Sequence, residues 1–428
     1  MQVPMSAPDI GEEEIAAVNA VLRTPYLSIG PQIVNFEEAM ARRFGVRNAI
    51  GVNSGTSGLH LCVIAAGVQA GDLVLTSPFS FVASANAILY ERAIPLFVDV
   101  DPTTGNISPE AVASAANDIS QGGEAAERLL PPALRGARSA GIGRLRAILP
   151  VHAFGQPADM LPILETARKH DLLVIEDACE AIGAEYMGQP AGTIGDGAVF
   201  AFYPNKQMTT GEGGIIITNR HDWAELCRSL RNQGRDVFDA WLNHTRLGYN
   251  YRLDEMSAAL GLAQLGRLDA LLAQREKVAG QYNERLAGLD GVETPVIAPT
   301  TTRMSWFVYT VRIMHPMGRE LVMQKLQEAG IPSRPYFTPI HLQPFYRQSF
   351  GYERGDFPVT EYLGDVTLAL PFSGVMTEQQ VDYVCDTLRN VIREGRSSQM
   401  KRTNDGQTRA GLNNNSSYIT PRSETGGA

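Results

Sequence analysis

Cysteine and positive charge are both in short supply in this chain. There are four cysteines, Cys62, Cys179, Cys227 and Cys385, and no two of them form a CxxC pair. The sequence therefore does not predict a disulfide-stabilised secreted fold or a cysteine-based metal site. The 37 basic residues are outnumbered by 46 acidic ones, for a net charge of −9, which argues against nonspecific nucleic-acid binding.

Long apolar runs and standard nucleotide-binding loops are also missing. No apolar run reaches about 18 residues, and Met1–Pro4 does not open a basic-then-apolar export signal. We therefore expect a cytoplasmic enzyme without a membrane partner. No GxGxxG follows the first predicted strand, and no GxxxxGK[ST] occurs, which disfavours a dinucleotide-dependent oxidoreductase and a phosphate-loop enzyme.

The length and the hydrophobic content indicate a globular protein of more than one domain. With 428 residues, the chain is longer than one ordinary core accommodates, so two domains are expected. Hydrophobic residues make up 44% of the sequence, enough for extensive cores.

A single lysine stands between two strand-like apolar runs. The run from Ala198 to Phe202 ends in a Pro-Asn turn, Lys206 follows, and a glycine-rich segment leads to the run Ile215–Ile217. A lysine is costly to bury unless it is paired, and its amine can form a Schiff base with a carbonyl cofactor. Taken alone, this pattern also fits a surface lysine in a hairpin.

An aspartate follows another buried strand upstream. Leu172–Ile175 predicts the strand, and Asp177 lies where it stops. Ligands of open α/β sheets bind beyond the carboxyl ends of the strands. An acid for a pyridinium nitrogen and a lysine for an aldehyde are the pair that pyridoxal phosphate requires.

A strand, a short polar loop and an apolar helix follow one another near the N-terminus. Asn48–Val52 predicts the strand, residues 53–58 (NSGTSG) the loop, and Leu59–Ala66 the helix. Such a loop directs backbone N–H groups and the helix dipole at a phosphate group. An N-capped helix after a flexible loop explains the same residues equally well.

Together these stretches resemble the DegT/DnrJ/EryC1/StrS family of sugar aminotransferases. The motifs that carry the resemblance are residues 177–181 (DACEA), 202–206 (FYPNK), 209–214 (TTGEGG) and 248–252 (GYNYR), within about 8–393. The resemblance implies an α/β, fold type I transferase. We expect a large domain with a mainly parallel seven-stranded sheet (1–250), a small α+β domain that begins with a long helix (251–395), and a disordered tail (396–428).

The resemblance also implies the site. Lys206 would hold pyridoxal phosphate and act as general acid and base, and Asp177 would keep the ring nitrogen protonated. Gly55, Thr56 and Ser57 would bind the phosphate, Phe81 would cover one ring face, and Glu180 would lie against the ring. Asn250 would reach the cofactor phosphate in the neighbouring subunit. The working unit would then be a homodimer with shared sites.

The implied reaction is the amination of a nucleotide-linked keto sugar, with glutamate as the expected donor and ping-pong kinetics. A noncatalytic cofactor-binding relative remains an alternative, and a dehydratase is a weaker one because those relatives replace the lysine by histidine.

Two positions depart from the family pattern. Ala201 stands where many members have a phosphate-binding serine, and Glu180 stands where many have glutamine or histidine.

Three further predictions concern single segments. The run from Leu253 to Leu286 predicts one long helix, because its apolar residues recur at helical spacing and Gly288 follows. Residues from about 113 to 143 predict a helix plus a surface insertion. The last helix is predicted from Glu378 to Ile392.

Overall fold

The computed structural model describes residues 2–136, 142–236 and 243–412, the last of these as backbone only from residue 396. The strands are β1 (Asn48–Val52), β2 (Leu73–Thr76), β3 (Ile94–Phe97), β4 (Leu145–Leu149), β5 (Leu173–Asp177), β6 (Glu185–Tyr186), β7 (Gln189–Pro190), β8 (Gly197–Ala201), β9 (Gly214–Thr218), β10 (Val292–Glu293), β11 (Thr301–Arg303), β12 (Tyr309–Ile313), β13 (Arg334–Pro335) and β14 (Thr367–Leu370).

The helices surround these strands. They are α1 (Glu12–Val21), α2 (Pro31–Phe44), α3 (Gly55–Ala65), α4 (Ala83–Tyr90), α5 (Pro109–Gln121), α6 (Gly123–Leu129), α7 (Met160–His170), α8 (His221–Arg231), α9 (Glu255–Gly266), α10 (Leu268–Leu286), α11 (Arg319–Glu328), α12 (Pro344–Phe350), α13 (Pro358–Val366) and α14 (Glu378–Leu412).

The largest sheet has seven strands in the order β1-β9-β8-β5-β4-β2-β3. Only β9 runs against its neighbours, β1 and β8, and the remaining pairs are parallel. The prediction of a mainly parallel seven-stranded sheet is confirmed. Because β1, β5 and β8 all run the same way, their carboxyl ends meet at one edge of the sheet.

The strands of this sheet are largely apolar because helices cover both of its faces. Every residue of β2, β3 and β9 is buried, as strands covered on both faces require. One core lies between the sheet and the helices α3 and α8, and another lies between the sheet and the helices α2 and α9. These two cores hold the edge with the carboxyl ends in a fixed position.

A second sheet forms the C-terminal part of the described chain, in the order β10-β12-β14-β13. Its pairs are antiparallel, and it packs with α10, α11 and α14 around a separate core. This arrangement agrees with the small α+β domain. In a short third sheet, β11 pairs with the hairpin β6-β7, which lies between β5 and β8 in the sequence. The domain boundaries themselves remain a prediction.

The prediction of one helix from Leu253 to Leu286 is wrong. Gly266 ends α9, and Arg267 has φ −103° and ψ 3° before α10 begins. Glycine weakens a helix, and the Arg267 guanidinium contacts Glu14 at 2.8 Å and Asp9 at 3.0 Å. The helical pattern continues across the break, but these N-terminal partners fix the non-helical residue.

Two other segments differ from the expected bounds. The insertion contains α5, α6 and a 3₁₀ turn at Pro132–Leu134, and Ala126 and Leu130 are buried, so it packs on the body of the protein. Residues 137–141 lie outside the described residues. The helix predicted to end at Ile392 extends to Leu412, past the predicted start of the tail, and 413–428 lie outside the described residues. Across the described ranges, no helix is long and apolar enough to cross a bilayer.

Candidate active site

A cavity of about 750 Å³ opens at the carboxyl edge of the large sheet. The predicted residues that line it are Gly55, Thr56, Phe81, Asp177, Glu180 and Lys206. Cavities of this size hold most small-molecule ligands. Six of the eight predicted site residues therefore meet in one place, although they come from four separate stretches of sequence.

Sheet pairing explains why Asp177 and Lys206 are close. β5 pairs in parallel with β8, and Asp177 lies opposite Val199. β8 ends at Ala201, and a tight turn follows in which the Lys206 N–H donates to the Tyr203 carbonyl at 2.9 Å. The aspartate and the lysine thus follow neighbouring strands at the same edge.

Asp177 is buried and firmly held. The Ser84 hydroxyl donates to its Oδ2 at 2.6 Å, and the Cys179 N–H donates to its Oδ1 at 3.2 Å. No local pattern indicated the role of Ser84, which lies 93 residues away in α4. Two fixed donors hold the carboxylate in one orientation at the cavity wall, as an acid that serves a pyridinium nitrogen needs.

The Lys206 ammonium has one acidic and one aromatic neighbour. Its Nζ lies 3.6 Å from Glu180 Oε1 and 3.9 Å from the centroid of the Phe307 ring. Glu180 Oε2 accepts the Phe154 N–H at 2.9 Å. Burial raises the pKa of Glu180, and the nearby ammonium only partly opposes that change. Phe307 comes from the C-terminal half, so no local pattern could have indicated it.

The turn that carries Lys206 is fixed from behind by Arg275 of α10. Its guanidinium donates to the carbonyls of Asn205 and Lys206 at 3.2 and 2.6 Å, and to those of Trp306 and Phe307 at 3.2 and 3.1 Å. Arg275 is 3% exposed, and burial lowers its pKa to about 10. This arginine therefore joins the lysine turn to the connection between β11 and β12.

The helix α3 points its N-terminus into the cavity. Ser54 caps it by accepting the Ser57 N–H at 3.1 Å. The first two helical residues, Gly55 and Thr56, have no acceptor within the helix for their N–H groups, as at any helix start. Both residues line the cavity, so their N–H groups are available to donate hydrogen bonds to a bound anion. This arrangement agrees with a phosphate-binding loop.

Gly55 is required by close packing. A Cβ at this position would lie 2.7 Å from the Ala201 Cβ and 2.8 Å from the Cys179 Sγ. Such distances are shorter than side chains tolerate, so a larger residue would push the α3 loop away from β8. Burial also raises the pKa of the Cys179 thiol well above its usual value, so it stays protonated.

Two predicted residues lie outside the cavity lining. The Ser57 hydroxyl donates to Asn53 Oδ1 at 2.7 Å, so it braces the loop from within. Asn250 is exposed, next to Asn53, whose side-chain amide donates to the Asn250 carbonyl at 3.4 Å. The roles predicted for Ser57 and Asn250 as phosphate ligands stay predictions.

Comparison with known proteins decides the family. The chain matches the sequence model of the DegT/DnrJ/EryC1/StrS aminotransferase family over residues 8–389. It belongs to this family. The resemblance read from the motifs is confirmed, and the chain is a pyridoxal-phosphate-dependent aminotransferase.

Individual relatives of this DegT/DnrJ/EryC1/StrS aminotransferase cover nearly its full length. GDP-perosamine synthase of Caulobacter vibrioides is 40% identical over 91% of this chain and 98% of its own. The structure of DesV from S. venezuelae is 32% identical, with a TM-score of 0.77, over 88% of this chain and 94% of its own. A family aminotransferase from Brucella abortus is 29% identical, also with a TM-score of 0.77, over 89% and 95%. The α/β fold is thus shared with solved aminotransferases.

The residues present fit pyridoxal phosphate. The α3 N-terminus supplies two N–H donors for a phosphate, Asp177 supplies a buried and oriented carboxylate, and Lys206 supplies the amine. Phe81 is 63% exposed at the cavity mouth, so its ring is free to cover a flat ligand. The groups that the cofactor needs therefore surround a single space.

Proposed function

We propose that this enzyme transfers an amino group from an amino acid, with glutamate as the first candidate, to a nucleotide-linked keto sugar, and works in the cytoplasm as a homodimer with shared active sites. The observation that carries the proposal is the convergence of Lys206 and Asp177 on one cavity that also receives the N-terminus of α3. The named relative GDP-perosamine synthase supports a nucleotide sugar as the substrate.

When bound, pyridoxal phosphate supplies an aldehyde for amines and a ring that accepts electrons. Lys206 provides the amine that anchors the cofactor. In each half-reaction it moves one proton to or from the substrate carbon that carries the amino group. Asp177 holds the proton on the ring nitrogen, and Ser84 keeps that carboxylate in its orientation. Glu180 shares the base of the cavity with Lys206 and balances its charge.

The cavity lining also supports a partner subunit. Among the described residues that line it, Lys206 is the basic side chain, while Asp177, Glu180 and Glu212 are acidic. Lys206 is committed to the cofactor in the proposed reaction, so the described lining residues offer no further basic side chain to the phosphates of the bound ligands. A second subunit that presents Asn250 at the opening would add a donor for the cofactor phosphate, and Asn250 is exposed.

The proposal is tested by following the cofactor and then the sugar. Protein loaded with pyridoxal phosphate should show an absorption band that bleaches when glutamate is added. It should then recover when a nucleotide-linked keto sugar is supplied. GDP-linked keto sugars come first in the panel, because the relative at 40% identity is a GDP-perosamine synthase. Borohydride reduction and peptide mapping should place the label on Lys206.

Two variants serve as matched controls. Lys206→Ala should lose the trapped label, and Asp177→Asn should keep the label but bleach much more slowly with glutamate. A band that no amino donor changes would instead indicate a noncatalytic cofactor-binding protein. A label on another lysine would contradict the site itself.

A further inference from the structure

A cluster of polar and aromatic side chains surrounds the buried His60 of α3, outside the cavity. His60 of α3 is 2% exposed, and its Nε2 lies 2.8 Å from Glu91 Oε1. Its Nδ1 lies 3.2 Å from the Tyr251 hydroxyl. The Tyr249 hydroxyl donates to the same Glu91 oxygen at 3.5 Å. None of these groups has a part in the chemistry proposed above.

The protonation state of His60 follows from these partners. Burial lowers its pKa, although Glu91 acts to raise it, so the ring is neutral near pH 7. A carboxylate can only accept, so Nε2 carries the proton, and Nδ1 is left to accept from the Tyr251 hydroxyl. The chain of hydrogen bonds from Tyr251 to His60 to Glu91 is therefore fully directed.

The aromatic rings fix the segment that carries Asn250. Tyr249 and Tyr251 stack with ring centroids 4.9 Å apart at an interplanar angle of 13°. Both meet the His60 ring edge-on, at 4.8 and 5.9 Å. Side chains two residues apart in extended backbone share a face, and the residue between them points the opposite way. With both tyrosines held inward, Asn250 faces outward and is exposed.

Asn53 ties the same segment to the phosphate-binding loop. Its N–H donates to the Tyr251 carbonyl at 2.9 Å, and its side-chain amide donates to the Asn250 carbonyl at 3.4 Å. Its Oδ1 accepts the Ser57 hydroxyl at 2.7 Å. The residues 249–251 and the start of α3 consequently form one bonded unit within a subunit.

We infer that His60, Tyr251 and Asn53 are positioning residues that fix Asn250 facing outward, so that α3 of one subunit organises the active site of the other. The inference rests on the proposed homodimer with shared sites and deepens it. On this inference, the His60 cluster affects binding of the cofactor in the partner subunit, and not in the cavity that the same α3 lines. If the cluster had a purely local role, it would affect the cofactor of its own subunit.

Hybrid dimers separate the two locations. A Lys206→Ala subunit cannot trap pyridoxal phosphate, whereas its Asn250, His60 and Tyr251 are intact. Co-expressed with a differently tagged Tyr251→Phe or His60→Phe subunit and purified through both tags, it forms a dimer in which only the second subunit can trap cofactor. The readout is borohydride-trapped pyridoxal phosphate per dimer across a range of cofactor concentrations.

The homodimeric variants give the reference. Tyr251→Phe removes only the hydroxyl that donates a hydrogen bond to His60. It should weaken cofactor affinity by about fivefold, as expected for one hydrogen bond. His60→Phe keeps a ring but loses both bonds, and should weaken it by about tenfold or more. Tyr90→Phe is the matched control, because the Tyr90 ring lies 5.1 Å from the His60 ring and the residue is 51% exposed. The cofactor affinity of this variant should be unchanged.

In the hybrids, the site able to trap cofactor receives its Asn250 from the subunit with an intact His60 and Tyr251. It should therefore trap about one cofactor per dimer with wild-type affinity. A hybrid as weak as the Tyr251→Phe and His60→Phe homodimers would place the effect within one subunit and overturn the inference. Unchanged affinity in both homodimers would also overturn it.

A third hybrid keeps the proposed function apart from this inference. Lys206→Ala combined with Asn250→Ala should restore one wild-type site if Asn250 acts across the interface. Restoration there, without restoration in the His60 and Tyr251 hybrids, would reject the positioning role alone. Failure in the Asn250 hybrid would reject the shared sites, and the inference with them, while Lys206 trapping in the wild-type protein would still support the aminotransferase.

Discussion

Arg275 offers the sharpest test of how the fold holds the reactive lysine. Replacing it by methionine keeps a long, unbranched side chain in α10 and removes all four bonds from the guanidinium to the carbonyls of Asn205, Lys206, Trp306 and Phe307. No carboxylate is among these partners, so the substitution leaves no acidic group unpaired. Its effect should therefore fall on the lysine turn.

The size of the effect can be worked from the contacts. Bonds from a charged donor contribute a net of about 1.5 kcal/mol each at the low end of their range, and this figure already includes the cost of removing the donor from water. The four bonds share one guanidinium and two pairs of adjacent carbonyls, so their contributions are not additive and the loss stays below the simple sum of about 6 kcal/mol. The net loss expected for Arg275→Met is therefore about 3 kcal/mol.

Hydrogen exchange with peptide resolution measures this loss where it should occur. The Lys206 amide, which donates to Tyr203, should exchange faster in Arg275→Met, by up to about a hundredfold if the turn opens locally. The rate of borohydride-trapped cofactor formation should fall as well. Arg275→Lys should be intermediate, because one ammonium cannot reach both pairs of carbonyls.

Arg285 provides the matched control in the same helix. It pairs with Glu378 at 2.7 Å and with Asp382, both in α14 and away from the cavity. Arg285→Met should leave exchange at Lys206 unchanged. If Arg275→Met also leaves that exchange and cofactor trapping unchanged, the reasoning that the guanidinium holds the lysine turn is refuted.

Two further predictions concern Ala201, at the end of β8, and His60, in α3. Ala201→Ser would place a hydroxyl in the cavity beside Gly55, and should slow dissociation of pyridoxal phosphate roughly fivefold; equal dissociation rates for variant and parent would count against it. Burial lowers the pKa of His60 below its usual 6.5. On acidification the unfolded chain therefore binds a proton at this histidine before the folded chain does. The contribution of neutral His60 to folding stability is complete above about pH 6.5 and declines below it. The difference in thermal midpoint between wild type and His60→Phe should therefore narrow on acidification from about pH 7.5 to 5.5, and a constant difference would contradict that sign.

The local parts of the site could be predicted from the amino-acid sequence. The strand before Asp177, the turn before Lys206 and the capped start of α3 are each written in fewer than about ten consecutive residues, because period, caps and turns depend on near neighbours. Their order along the chain was enough to indicate the family. The mainly parallel sheet followed from that family resemblance.

The side chains that support those parts are brought in by folding from distant positions in the sequence. Ser84 reaches Asp177 from 93 residues away, and Phe307 and Arg275 approach Lys206 from beyond the large sheet. The break at Arg267 depends likewise on acids near the N-terminus. A hydrogen bond or a ring contact forms at a few ångströms whatever the separation in sequence, so no local pattern records it, and only folding of the whole chain brings the partners together.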